Sequence, residues 1–422
     1  MAAVAIGVTV SLPYWLPRSV VALRMWLFAR INGAEGIAIP GDLVDASRFL
    51  EVYSHPAACG RSRGAALSDL FWYWLSPGPE VHQEHLEPGP RYDSVARCTR
   101  RILGMPTAAA DRLAVESLHA TLPARAGLVR LRDLMMPVWA EFYYRVVFGR
   151  PCTDEARALI VGNADDVITA LKCCGLRHMD RRLRLTSYLE RVLDDVPHEL
   201  PAALDRRERA LYLQGTFFNT AVVQSAEATA HLLMALASDP SLQRSAAAGP
   251  VLDHVFDQTL RHFPLFGVAH RITTADIALS PREAIPAGSV LCFNYPEFHR
   301  TGGHIPFGVP ANRPCPAWHL APITVKAVTR ELLAGFTFAT TAAHTRPMPN
   351  RGPCLMTPRG ATAAPRRGLV LAFLGLRDRW ENVWRSLTQL VLGTYMVWHA
   401  RRLRLCARYF ESRPATTDAG PP

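Results

Sequence analysis

Apolar residues recur at helical spacing over most of this chain, and strand patterns are few. From Ala108 to Arg209 the pattern reads as helix, and Leu211–Ala237 continues it after the charge cluster DRRER at 205–209. Helix is also predicted for ALSDLFWYWL, for Tyr92–Met105 and for Leu320–Phe336. Phe71, Trp72, Tyr73 and Trp74 are adjacent and cannot all share one helical face. Some are therefore expected in the core and some along a ligand cavity. The class expected is mainly α with small β-sheets.

The two ends differ from the body. Met1–Pro17 is uncharged and holds the run AAVAIGVTV; Pro13 and Pro17 interrupt it, and Arg18, Arg24 and Arg30 follow. A spanning helix needs about 20 apolar residues, and this run is shorter. No basic residue precedes it, which argues against a secretory signal. The expectation is a lead-in helix packed on the body, with a membrane anchor as the alternative. Near the other end, the apolar runs Gly368–Leu376 and Leu387–Trp398 are separated by RDRWENVWRS and followed by HARRLRLCAR. Trp380, Trp384 and Trp398 beside arginines suit amphipathic helices lying in a membrane interface. A helical hairpin packed on the body or on a partner is the equal alternative. Thr416–Pro422 reads as a disordered end. The boundaries expected are a lead-in at 1–32, a body at 33–360 and a helical extension at 361–422.

Composition narrows the partners. With 422 residues, 49% hydrophobic and 20% charged, the chain can bury two ordinary domains or one large one. The net charge of +11 comes from arginine, since Lys172 and Lys326 are the only lysines. The basic residues are spread along the chain, with no Gly-rich, zinc-finger or helix-turn-helix signature, so no nucleic-acid partner is expected. The charge suits an acidic electron-transfer partner or anionic lipid. Nine cysteines are an odd number and no CxxC pair occurs, so neither zinc nor a disulfide framework is indicated. That agrees with a reducing cytoplasm.

Candidate chemistry concentrates in His304–Leu320, HIPFGVPANRPCPAWHL. Cys315 ends a Pro/Gly-rich loop just before a predicted helix. A thiolate there would accept hydrogen bonds from amides at the helix start, which suits a metal-bound sulfur. A buried structural cysteine is the plain alternative. Phe307–Gly308, a loop, Arg313-x-Cys315 and a helix resemble the heme-ligand loop of the cytochromes P-450. The usual pattern there is Phe-Gly-x-Gly-x-Arg-x-Cys-x-Gly. In this chain Pro310 or Ala311 stands near the second Gly, Ala317 replaces the last one, and one extra residue separates Phe307 from Cys315.

Further stretches resemble the same family in the same order, over roughly residues 80–360. Gln258–Pro264 resembles its Glu-x-x-Arg helix, with Arg261 kept and Gln258 replacing Glu. His270–Leu291, HRITTADIAL followed by IPAGSVL, resembles the stretch after that helix, and SAEATAHLLMALASDPSLQ resembles the end of the long central helix. His344–Arg359 is similar to the last small sheet, and Arg130–Pro151 to a helix ending in Leu/Phe-Gly-x-Pro.

The resemblance implies a cytochrome P-450-like fold, heme b with its iron on Cys315, and a cytoplasmic or membrane-associated monooxygenase. Phe307 would sit beside the heme, and Arg313 and Arg271 would hold its propionates, as would Arg97 or Arg100, for which a solvated basic face is the alternative. The family's acid–threonine pair falls on Val223 and Gln224, so the helix around Ala221–Gln224 would face the distal side without an acid. Thr220, Glu227 and Thr229 lie within a register slip. The segment between Leu291 and His304 is shorter than usual, and Arg300 is the candidate replacement for the arginine it normally supplies. The implied partners are a small-molecule substrate, a ferredoxin or flavoprotein electron donor, and a membrane surface met through the C-terminal extension. Secondary-metabolite oxidation with atypical chemistry is the leading reading. A catalytically decayed heme- or partner-binding member, or a membrane-surface scaffold, is the alternative.

Overall fold

The computed structural model describes residues 2–32, 36–61, 66–75, 85–122, 127–361 and 366–412. The expected disordered end, Thr416–Pro422, lies outside them. As the periodicity predicts, helices dominate and three small sheets flank them. In the first, Gly36–Ile39 runs parallel to Val290–Asn294, which pairs antiparallel with Val268–Ile272. The second is antiparallel: Pro353–Pro358 lies between Gly127–Arg130 and Phe336–Ala339. The third is the hairpin Ile277–Ser280 with Glu283–Ile285.

The core is built around one long helix. It starts at Arg206 behind a capping box, in which Asp205 accepts from the Glu208 amide while the Glu208 carboxylate accepts from the Asp205 amide. Gln214–Ala221 winds as a π-helix, and Val222–Ser238 returns to α. Ser225–Met234 is buried without a break, because small and apolar residues cover most of this segment and its Glu227 and His231 find polar partners inside. Helix Leu131–Phe148 packs along it. Tyr143 shares a 2.9 Å hydrogen bond with Ser225, and the Trp139 indole donates to Thr229 at 3.2 Å.

A buried ion cluster fixes the same helix. The Glu227 carboxylate sits 2.7 Å from Arg132 Nε and is also paired with Lys172; the three side chains are 8%, 2% and 6% exposed. Arg132 donates onward to the Met348 carbonyl, and Gln389 of helix Arg367–Leu403 donates to the Lys172 carbonyl. Burial alone would raise the Glu227 pKa, but Arg132 and Lys172 hold it below the usual range. Burial pushes the Lys172 ammonium down to about 7, against the pull of Glu227.

At the chain's ends the lead-in helix stands as expected, whereas the C-terminal hairpin does not. Ala2–Asn32 is one helix running through both Pro13 and Pro17. The two prolines are four residues apart and share a face, where packing against a neighbouring helix offsets the ~3 kcal/mol that each interior proline costs. That neighbour is Arg367–Leu403, a single helix of 37 residues and not a hairpin. The charged stretch between its apolar runs does not break it: Glu381 pairs with Arg377 and Arg385 one turn away on either side, and buried Asp378 accepts from Arg385, Asn350 and the Ala343 amide. The two helices run parallel, with Arg379 donating to the Tyr14 hydroxyl and the Phe28 ring lying against Gly393. Among the described residues, no helix is long and apolar enough to cross a membrane.

Candidate functional site

Cys315 lies in the loop between helix Tyr295–Arg300 and helix Leu320–Gly335. The loop doubles back on itself. The Cys315 amide donates to the Phe307 carbonyl at 2.9 Å, and Val309 bridges to Asn312 across a tight turn. Gly308 has φ +72, and a Cβ there would come within 3.1 Å of the Tyr53 hydroxyl, so only glycine suits this bend. Regular helix begins at Leu320, as the sequence predicts. A turn intervenes, in which the Cys315 carbonyl accepts from the Trp318 amide.

A polar clamp seats the loop on residues 53–58. Buried Asn312 donates through its amide to the carbonyls of Tyr53, His55 and Ala58. Arg271, 1% exposed, donates to the Tyr53, Ala58 and Asn312 carbonyls and stacks 3.8 Å over the Tyr53 ring. Arg271 is thus committed to the protein backbone and lies outside the cavity lining, in contrast to the propionate contact expected of it. Arg313 takes φ +51, is buried, and lies 4.1 Å over the Tyr92 ring.

One cavity joins the loop to the central helix. Its empty volume, counted out to its open mouth, is about 1390 Å³. Phe307, Gly308, Arg313, Cys315, Pro316 and Ala317 line it from the loop. Thr216, Thr220, Ala221, Gln224, Ser225 and Ala228 line it from the central helix. Thr216, Phe217, Thr220 and Ala221 reach the cavity from the π-helical stretch. Among the described residues, Gln224 Oε1 and Thr216 Oγ1 are buried with no hydrogen-bond partner. Burial pushes the Tyr143 phenol up; its bond to Ser225 opposes the rise and nearby Cys315 adds to it. None of the central-helix residues in the lining is an acid, since Glu227 is engaged with Arg132 and Lys172.

Several expected residues stand elsewhere. Arg97 and Arg100 are exposed on helix Pro90–Leu103 and outside the lining, because Val95, Ala96, Cys98 and Thr99 form that helix's buried side. Arg61, which no motif signals, lines the cavity instead; it is 5% exposed and donates to the His270 carbonyl. The aromatic run also misses the cavity. Phe71 stacks on His270, Trp72 packs against Tyr409 and Phe410, and Tyr73 meets His399. Arg300 is 75% exposed as a side chain and pairs with Glu297, so it does not complete a lock with Arg261. Arg261 donates to the Gly302 and Gly303 carbonyls, while His299 bonds to the Arg261 carbonyl and His304 sits 2.7 Å from Asp257. Backbone carbonyls thus replace the missing carboxylate. His299 lines the cavity, and burial pushes its pKa down to about 4.

The donor set fits a flat, largely apolar group with anionic arms. Cys315 offers a sulfur, the small residues Ala221 and Ala228 leave room, Phe307 supplies an aromatic wall, and Arg313 and Arg61 supply cations. Heme meets that description. Among the described residues no group of three His, Cys, Asp or Glu could hold a bare metal ion.

No protein-family model matches the chain, and no curated protein matches it. Many solved structures do. A 6-coordinated cytochrome P450 from Thermus thermophilus is 17% identical, with a TM-score of 0.57 over 74% of this chain and 90% of that one. Ligand-free cytochrome P450 OleT is 14% identical, with a TM-score of 0.59 over 76% and 89%. A retinoic acid-bound cyanobacterial CYP120A1 is 13% identical, with a TM-score of 0.56 over 74% and 87%. The chain therefore has the cytochrome P-450 fold.

Proposed function

We propose that the chain is a heme-thiolate oxidoreductase acting on a small, largely apolar organic molecule. The observation that carries this is a single cavity, on this fold, that joins Cys315 to the central helix. Heme b, when bound, would supply an iron centre for activating dioxygen or peroxide. Cys315 would hold its iron through the thiolate, and Arg313 and Arg61 would pair with its propionates through charge-assisted hydrogen bonds. Arg271 and Asn312 would hold the loop that presents the sulfur.

Gln224, with the hydroxyls of Thr216, Thr220 and Ser225, would position a water or a substrate group. None of these is an acid, so protons would reach the site through water or substrate, which favours atypical oxidation chemistry. The similar structures include cytochrome P450 OleT with arachidonic acid and cytochrome P450SP alpha with (R)-ibuprophen. The apolar lining here suits organic ligands of that general kind. A separate ferredoxin- or flavoprotein-type donor, a cytoplasmic setting and a role in secondary metabolism belong to the same proposal. The absence of an acid beside Gln224 also favours a second reading, a family member that binds heme without turnover.

The test is spectroscopic. Purified protein supplied with heme b should, when reduced and bound to CO, show the red-shifted Soret band of thiolate ligation, and Cys315→Ser should lose it. No heme uptake, or an unchanged band in the variant, overturns the assignment. A normal band without substrate turnover selects the second reading.

A further inference from the structure

The parallel pair of terminal helices leaves an apolar surface open. On Arg367–Leu403, the exposed Phe373, Leu376, Trp380, Trp384, Val391 and Trp398 recur three, four or seven residues apart. At 3.6 residues per turn they fall within an arc of about 100°, opposite the buried stripe that includes Asp378, Gln389, Met396 and Ala400. Trp384 is 73% exposed and Val391 65%. Helix Ala2–Asn32 is apolar on nearly every side, yet among its described side chains only Pro17 and Val20 are buried. Tyr14, Trp15, Met25 and Trp26 stand in solvent. A helix hydrophobic all round belongs in a core or against lipid, and a patch of this extent marks an interaction surface.

Charge decides between occupants. Ala2–Asn32 carries three arginines and no acid, and Arg367–Leu403 carries six arginines against Asp378 and Glu381. Asp378 is buried, and Glu381 is paired with Arg377 and Arg385. A second copy would set arginine against arginine with no exposed free acid to answer it. An anionic bilayer offers apolar depth for the aromatic stripe and phosphates for the arginines at its edge. The aromatic–cation pairs agree: Arg30 lies over Trp26 and Arg402 over Trp398, placing a charge beside an amphipathic ring. Among the described residues neither helix is long and apolar enough to span, so the contact proposed is with the surface.

We infer that the paired terminal helices form a lipid-docking face that lies in the interface of an anionic membrane. The N-terminal helix is half of that face, lying in the interface rather than anchoring across it, and the inference does not depend on heme. The test uses the full chain with vesicles of phosphatidylcholine alone and mixed with phosphatidylserine. Co-sedimentation and a blue-shifted tryptophan emission are expected with the mixed vesicles, weakening at high salt. Neutralising one edge arginine, Arg402→Gln, should lower partitioning roughly fivefold. The triple variant Trp380→Ser, Trp384→Ser, Trp398→Ser should lose vesicle binding while keeping its circular dichroism; if it misfolds, the exposed single variant Trp384→Ser, expected to weaken binding, takes its place. Equal binding to both vesicle types, no binding, or a stable dimer that Trp384→Ser dissociates would each overturn the proposal.

Discussion

Glu227→Gln is expected to destabilise the protein more than almost any other conservative change in it. Glu227 is the single carboxylate between Arg132 and Lys172, all three nearly inaccessible to water. The variant leaves a buried guanidinium without its partner, and breaking a buried pair in this way costs about 3–5 kcal/mol. Lys172 adds a pH signature. Its pKa is about 7 in the fold against 10.5 in the free side chain. The folded state therefore holds fewer protons than the unfolded chain between those values, and wild-type stability rises with pH across that window. Without Glu227 the ammonium is held still more weakly. Below pH 7 the variant then loses stability relative to wild type by up to about 1.4 kcal/mol per pH unit. Urea unfolding at pH 6, 7 and 9, read by circular dichroism, should give a deficit of about 3–5 kcal/mol at pH 9 and more at pH 6. Adding Lys172→Met should recover most of the extra loss at pH 6. A deficit below about 1 kcal/mol, or one that does not change with pH, would show that water reaches the cluster and that the pairing does not anchor the helix.

Three further outcomes can be measured. Burial depresses His231 to about 3 and His299 and His344 to about 4; the unfolded histidines take up protons first, so stability should fall as pH drops from about 6.5 towards 4, and a flat profile in acid unfolding would contradict this. Gln224→Leu should stabilise the ligand-free protein by about 1–3 kcal/mol by removing an unpartnered buried oxygen, seen as a raised Tm; in active enzyme, Gln224→Thr that sharply raises product per electron without changing the product would show an impaired hydroxylase. Arg261→Ala loses two carbonyl contacts at a partly exposed site, so a loss of about 1.5–3 kcal/mol and faster proteolysis near Gly302 are expected, whereas unchanged proteolysis would show that the loop holds without it.

The Cys315 loop could be found in the sequence because Phe307, Gly308, Arg313 and Cys315 lie close together and each type has a local reason to be there. Gln224 stands where the resemblance puts the family's threonine, and the cavity includes it. Arg61 could not be found that way, since its place depends on the return of Val268–Ile272 from far along the chain. Arg97 and Arg100 misled because a helix carrying four basic residues does not reveal which face is buried. Arg300 misled because it has a local partner, Glu297, three residues away. The continuity of Arg367–Leu403 was hidden by a charged middle segment whose residues satisfy one another only once helical.

The parallel pairing of the two terminal helices has a consequence for synthesis. A ribosome adds roughly 5–20 residues per second, so Ala2–Asn32 emerges on the order of 20–70 s before Arg367–Leu403 exists. For that whole interval an apolar helix with no acidic residue lacks its mate. A chaperone or a nearby bilayer would have to shield it, and whichever arrives first can decide where the finished protein resides.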